Sequence, residues 1–333
     1  MIRLGLDASG GDNGETEVVK AIINYYKNNS DITIVVFGDE VIIRNEFTKQ
    51  NVDINTLNIE IVDAKDRIDM NDHPIIAIRT KTDSPIVKAG KYLQDNKIDA
   101  FISAGNTGAL VAMAQFYLKP INGVDRPVLG AIVPTDNSPM LLVDSGCNVD
   151  SKPEWLYQYA LLANSYYKLM FNKNNPSIAL LSVGTEENKG NNLTISTYSL
   201  IKNNKTLNFI GNVEARDLPR GICDILITDG FAGNVFLKTY EGTAKLIFEL
   251  IKKQIKSSFI GKIGGLLIKP SLKGLLGKYD AKKYGGAPIL GTNYLLVKCH
   301  GNSHFEEYLT AINQVKLLIE KKFIEVVNKS FVG

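Results

Sequence analysis

Short apolar runs along this chain end repeatedly in glycine-rich polar loops, and most of those loops lead into a helical pattern. Residues 3–7 read as a first strand, Gly10-Gly11-Asp12-Asn13 as its loop, and Val18, Ile22 and Tyr26 as the buried stripe of a helix starting near Glu15. The unit recurs at residues 32–37, at 98–103 before an apolar helix through Met113, and at 178–183, while 224–228 opens into Asp229-Gly230-Phe231-Ala232-Gly233-Asn234. Such alternation predicts an α/β fold, a three-layer α/β/α arrangement around a mostly parallel sheet. Residues 128–133 and 140–143 are separated by only six residues, too few for a parallel crossover, so an antiparallel hairpin is expected there. A last strand is expected at 294–298. A closing helix is expected over 305–327, with Leu309, Ile312, Val315, Ile319 and Phe323 along one face.

In an open parallel sheet, ligands bind beyond the carboxyl ends of the strands, where glycine lets backbone approach and helices begin. The polar residues at those ends are therefore the candidates for chemistry. The first loops supply Asp7 with Gly10, Gly11 and Asp12, then Ser103 with Gly105, Asn106, Thr107 and Gly108. Next come Asp144 with Asn148, and Gly184, Thr185 and Glu186 with Lys189. Asn212 with Glu214, Asp229 with Asn234, and the run Cys299-His300-Gly301-Asn302-Ser303 complete seven loops that are expected to converge on one cleft. Lys189 sits in a glycine-flanked loop before a helix, suiting it to phosphate or a developing oxyanion, although a solvated loop lysine has the same pattern. Asn106 and Asn234 are neutral donors for a carbonyl oxygen, or else helix caps. His300, just after a strand, is placed for proton transfer or for a structural role.

The remaining chemistry is narrowed by what the chain lacks. Neither G-x-G-x-x-G after the first strand nor a P-loop occurs, so no cofactor is indicated. His300 and His304 are split by Gly301 without a nearby third ligand, and no metal is expected. Cys147 has no histidine in its segment and reads as packing rather than as a nucleophile.

At 333 residues, with 44% hydrophobic and 22% charged, the chain can bury a large core. No linker is evident, so residues 1–333 are expected to form one α/β unit of two tightly joined lobes. Three scattered cysteines suit a reducing compartment, and no apolar run approaches the roughly 18 residues of a spanning helix. The N-terminal apolar run is too short for a signal peptide. A cytoplasmic protein, at most attached to a membrane surface, is expected. The formal charge of +3 hides an asymmetry, because residues 245–283 hold ten lysines against Glu249 and Asp280, a local +8 that leaves −5 elsewhere. Within that segment Phe259, Ile260, Ile263, Leu266, Leu267, Leu272, Leu275 and Leu276 recur every three to four residues. Pro270 and its neighbouring glycines argue against one continuous helix, so a projecting basic amphipathic helical hairpin is expected. Lys252, Lys253, Lys256, Lys262, Lys269 and Lys273, with Phe259, Ile263, Leu266 and Leu267, are its candidate contacts with a partner protein, a second copy or a membrane.

Read in order, Asp7-Ala8-Ser9-Gly10-Gly11-Asp12, Ser103-Ala104-Gly105-Asn106-Thr107-Gly108-Ala109, Asp125-Arg126-Pro127 and Gly184-Thr185-Glu186-Glu187 with Lys189-Gly190-Asn191 carry a resemblance. Gly211-Asn212-Val213-Glu214, Asp229-Gly230-Phe231 with Gly233-Asn234-Val235, and Tyr284-Gly285-Gly286-Ala287-Pro288 extend it. Together they resemble the PlsX family of phosphate acyltransferases over nearly the whole chain, with departures at Ser9, His73, Pro85 and Cys147. The resemblance implies a fold like those of isocitrate and isopropylmalate dehydrogenases and of phosphate acetyltransferase. It implies transfer of a long acyl chain from acyl carrier protein to inorganic phosphate, yielding acyl phosphate for phospholipid synthesis. It further implies a cytosolic homodimer on the membrane periphery, with a membrane glycerol-3-phosphate acyltransferase downstream and no nucleic acid partner. On this reading Lys189 and the 103–108 loop bind phosphate, Asn234 supports the oxyanion, and His300 delivers a proton to sulfur. Three competing readings remain: an acetyl-type transferase using coenzyme A thioesters, a non-catalytic phosphate- and membrane-binding scaffold, and a decarboxylating dehydrogenase.

Overall fold

The computed structural model describes residues 1–279 and 281–332; Asp280 and the side chains of Leu275, Leu276, Lys278, Ala281 and Lys282, part of the expected basic amphipathic segment, lie outside the described residues, as does the side chain of Val332. The strands in chain order are β1 (Ile2–Asp7), β2 (Ile32–Gly38), β3 (Ile59–Asp63), β4 (Ala100–Ser103), β5 (Val128–Val133) and β6 (Met140–Val143). They continue with β7 (Ser177–Leu181), β8 (Asn208–Val213), β9 (Ile225–Ile227), β10 (Ala287–Leu290) and β11 (Leu295–Lys298). The helices of the first part are α1 (Gly14–Tyr26), α2 (Glu40–Lys49), α3 (Pro74–Thr80), α4 (Pro85–Gln94) and α5 (Thr107–Met113). After them come α6 (Pro153–Phe171), α7 (Asn192–Asn203), α8 (Gly230–Lys256), α9 (Phe259–Lys278), α10 (Phe305–Glu320) and α11 (Phe323–Val332).

Strand residues that alternate in direction build cores on both faces, which places helices on both sides of the sheet. Ile34 and Val36 of β2, Leu141 and Val143 of β6, and Ile225 and Ile227 of β9 share one continuous core with α1, α6 and α10. The opposite face carries two separate cores. Val35, Phe37, Phe101 and Leu296 pack with α3, α4 and α5, while Met140, Leu142 and Leu226 pack with Val213 and Leu218.

All the strands join one sheet in the order β3-β2-β1-β4-β11-β10-β5-β6-β9-β7-β8. The first five are mutually parallel, and so are the last four. Three consecutive antiparallel pairs, β11–β10, β10–β5 and the expected β5–β6 hairpin, join the two blocks, which therefore point in opposite directions. Their register is staggered. Ala287 pairs with Lys298 and Ile289 with Leu129, which puts the end of β11 level with Ala131, whereas Val143 at the end of β6 pairs with Gly130. The carboxyl ends of the two blocks thus meet near the middle of β5 instead of lying on opposite edges of the sheet.

Two helical expectations are corrected. The closing helix breaks at Lys321 and Lys322, the latter at φ 54°, and the turn re-aims the chain so that Phe323 meets Tyr166 edge-on at 5.9 Å between ring centroids. The segment around Pro270 forms the single helix α9, and the break falls before it, at Ser257 and Ser258. Proline deprives only the carbonyl at Leu266 of its helical donor, a loss tolerated on a turn as exposed as this one.

Candidate active site

Loops of the first block meet through glycine and a buried acid. Asp7, 2% exposed, accepts the amides of Ser9 and Gly10 on Oδ1 at 3.0 and 2.9 Å, and its Oδ2 takes the Ser103 hydroxyl at 2.5 Å. Burial nevertheless raises its carboxyl from 3.8 to about 6 against those three hydrogen bonds. A Cβ on Gly10 would stand 2.6 Å from the Gly105 amide, so glycine is what allows the loops after β1 and β4 to touch. The Asp12 amide donates to Gly301 at 2.8 Å, adding the loop after β11 to the cluster. Asn106 caps α5 by accepting the Ala109 amide at 3.0 Å and donates to the Asp69 carbonyl at 2.9 Å, while Gly108 packs on Pro74.

The second block builds its own centre around Asp144. That buried carboxylate accepts the amides of Gly146, Cys147 and Asn148 at 2.9, 2.8 and 2.7 Å, and the Asn148 side chain ties the loop to the Pro127 carbonyl at 3.0 Å. Burial raises the Asp144 carboxyl, the hydrogen bonds opposing it, and burial together with Asp144 pushes the Cys147 thiol well up, far from a thiolate at neutral pH. Asp229 caps α8 through the Ala232 amide at 2.8 Å. Gly233 packs so tightly on this loop that a Cβ there would fall 1.9 Å from the Asp144 carbonyl oxygen. That contact seats Asn234 against Gly146.

Lys189 and its neighbours form a third group beyond β7 and β8, at the far end of the sheet order. Asn212 donates to the Glu186 carbonyl at 2.8 Å, and the Lys189 amide donates to the same carbonyl at 3.1 Å. Thr185, Glu186 and Lys189 are exposed, Gly184 is buried, and Glu214 pairs with Arg216 at 3.0 Å. The Lys189 ammonium makes no hydrogen bond or ion pair among the described residues.

Between the two cores of the divided face lies a cavity of about 760 Å³. Leu129, Ala131 and Leu237 supply apolar wall, Ser145, Thr107, Asn234 and His300 supply neutral polar groups, and the charged lining is Lys298, Glu307 and the ion pair Lys238–Glu241 at 3.2 Å. Of the residues expected from sequence, Thr107, Asn234 and the whole run Cys299-His300-Gly301-Asn302-Ser303 line it, whereas Lys189 and its loop do not. The sequence places Lys298 only at the end of a strand. It is 8% exposed, takes part in no ion pair among the described residues, and donates from Nζ to the carbonyls of Ala104, at 3.2 Å, and Cys299. Burial holds its ammonium below the usual lysine range, Lys238 pushing the same way and Asp7 pulling back. The available signal was a lysine closing the apolar run Leu295-Leu296-Val297 directly before Cys299-His300.

Residues 2–326 match the family model described as fatty acid synthesis protein. A "Phosphate acyltransferase" of Caldicellulosiruptor bescii is 45% identical over 328 residues, covering 98% of each chain, and one of Clostridium botulinum is 43% identical over 99% of each. Among solved structures, a phosphotransacetylase from Streptococcus pyogenes superposes with TM-score 0.62 at 14% identity, covering 100% of this chain and 95% of its own. The EutD phosphotransacetylase from Staphylococcus aureus gives 0.60 at 16% identity, covering 99% and 94%. These two similarities concern the fold.

Proposed function

The chain belongs to the fatty acid synthesis protein family and is a phosphate acyltransferase, and from that premise we propose that its donor is a long-chain acyl thioester of acyl carrier protein. The observation that supports this reading is the cavity itself, whose apolar wall at Leu129, Ala131 and Leu237 suits an alkyl chain beside donors suited to a thioester and an anion. A phosphate oxygen attacks the thioester carbonyl carbon, the carbonyl electrons pass to its oxygen, and collapse of that oxyanion expels the thiolate. Asn234 donates to the oxyanion and His300 supplies the proton that converts thiolate to thiol. Phosphate is already anionic near neutral pH and a thiolate leaves readily, so the site's work is orientation and charge stabilisation. Lys189, expected from sequence to bind phosphate, is kept as a proposed second anion-binding cation in the loop after β7, outside the cavity lining.

The basic segment completes the reading. Leu246, Ile247, Leu250 and Ile251 of α8, and Phe259, Ile260, Leu266 and Leu267 of α9, are exposed. Lys252, Lys253 and Lys256 lie on α8, and Lys262, Lys269 and Lys273 on α9. An apolar and cationic surface of this kind suits the acidic carrier protein, an anionic membrane and a second copy of the chain in turn. Among the described residues no helix is long and apolar enough to cross a membrane. Peripheral attachment would deliver the acyl phosphate to a membrane glycerol-3-phosphate acyltransferase. Free thiol is followed from long-chain acyl carrier protein, with and without inorganic phosphate, beside the matching coenzyme A thioester. Phosphate-dependent release preferring the carrier protein is expected, and equal or better use of the coenzyme A thioester overturns the donor assignment.

A further inference from the structure

We propose that Lys298 is the residue that binds the attacking phosphate, a role that rests on the acyl-transfer reading of this cavity. Lys298 is the one lysine or arginine among the described residues that is buried, and it reaches the cavity from the end of β11. An ammonium has three donors. Two are taken by the Ala104 and Cys299 carbonyls, which orient the group without neutralising it, and no carboxylate lies within ion-pair distance among the described residues. An uncompensated charge in such a place is costly, and a dianion arriving in the cavity offsets that cost in a medium where Coulomb attraction is poorly screened.

The placement also separates the two substrates. Lys298 hangs beneath the loop 103–106, while Asn234 comes from α8 in the other block and, being neutral, suits a carbonyl oxygen better than a dianion. Lys238 also lines the cavity but is paired there with Glu241 at 3.2 Å, so Lys298 is the lining lysine left without an ion-pair partner among the described residues. The exposed Lys189 lies outside this lining, so the buried cation rather than the loop cation is matched to the nucleophile. Throughout the reaction Lys298 keeps its protons and acts as a fixed positive charge; no bond to it forms or breaks.

The test compares Lys298→Met, which keeps length and removes charge, with Lys298→Arg and Lys298→Gln. Lys298→Met is expected to raise the phosphate KM at least about tenfold and to leave the acyl-donor KM within about twofold, with Lys298→Arg in between. An unchanged phosphate KM, an equal rise for both substrates, or a loss confined to kcat overturns the proposal, the last by making Lys298 an oxyanion donor instead. Calorimetric titration with inorganic phosphate gives a readout independent of turnover: wild type binds and Lys298→Met does not. Should the wild type bind phosphate yet release no thiol from either donor, the acyl-donor assignment fails while the phosphate role of Lys298 still stands or falls on calorimetry. Where a variant does not fold, acetylation of the Lys298 amine in wild type, followed by peptide mass spectrometry, replaces it. Phosphate is expected to slow that acetylation, and no protection at saturating phosphate overturns the assignment.

Discussion

Asp7 gives the sharpest quantitative expectation, because its carboxyl is buried among Ser9, Gly10 and Ser103 and is raised from 3.8 to about 6. The folded state holds a proton there that the unfolded chain has released. Its stabilising effect is therefore fully present below the unfolded value of 3.8 and is lost as pH rises through about 6. The whole shift is worth about 3 kcal/mol, of which about 2 kcal/mol disappears between pH of about 4.5 and about 7.5. Asp7→Asn removes the titration and keeps an acceptor for the Ser9 and Gly10 amides, with its amide facing the Ser103 hydroxyl, which can rotate to receive it. Urea unfolding of both proteins across that range isolates the residue, since every other acid cancels in the difference. Wild type minus variant is expected to fall by about 2 kcal/mol as pH rises over the range. A difference that stays constant within about 0.5 kcal/mol refutes the reasoning, because Asp7 would then titrate alike in the folded and unfolded chain.

Three further expectations follow from single residues. Gly233→Ala places its Cβ 1.9 Å from the Asp144 carbonyl and is expected to cost about 2 kcal/mol or more in urea unfolding, together with loss of turnover as Asn234 shifts; a cost below about 0.5 kcal/mol contradicts the packing. Lys189→Ala is expected to slow acyl transfer at least about tenfold, about 1.4 kcal/mol of transition-state stabilisation, and an unchanged rate removes Lys189 from the reaction. Cys147→Ala is expected to leave turnover within about twofold, because the buried, strongly raised thiol is no nucleophile, whereas a loss of about a hundredfold would argue for an acyl-enzyme.

The strand–loop–helix units were legible because each carries its own punctuation. β1 and its glycine loop, β4 running into α5, and the β5–β6 hairpin all fall where apolar runs meet glycine, asparagine or proline. β3, β8 and β10 have no counterpart among the expected strands, β10 because its four residues Ala287–Leu290 follow two glycines and include a proline that sequence patterns assign to a loop. The turn at Lys321 and Lys322 has neither glycine nor proline to announce it. It exists because Phe323 and Val327 can be buried against α6 and the core only if the helix changes direction. Such a choice is tertiary, and local propensity does not record it.

The site was legible as residue types and illegible as an assembly. Seven strand-end loops suggest one cleft only if all the strands point the same way, and here three antiparallel pairings turn β6, β9, β7 and β8 against the block of β3, β2, β1, β4 and β11. What brings two opposed sets of carboxyl ends within reach is the register on β5, where Lys298 comes level with Ala131 and Val143 with Gly130. The same register makes Lys298 important: a lysine that closes an apolar strand would ordinarily extend into solvent, but here the opposite block covers it and leaves it a cavity to face. Loops at β7 and β8 lie two and three strands beyond β6, at strand spacings of about 4.8 Å. That separation of roughly 10 Å or more accounts for Lys189 standing outside the cavity that Asn234 and His300 share. Glycine loops therefore mark where a ligand can be approached, and strand register decides which of them approach the same one.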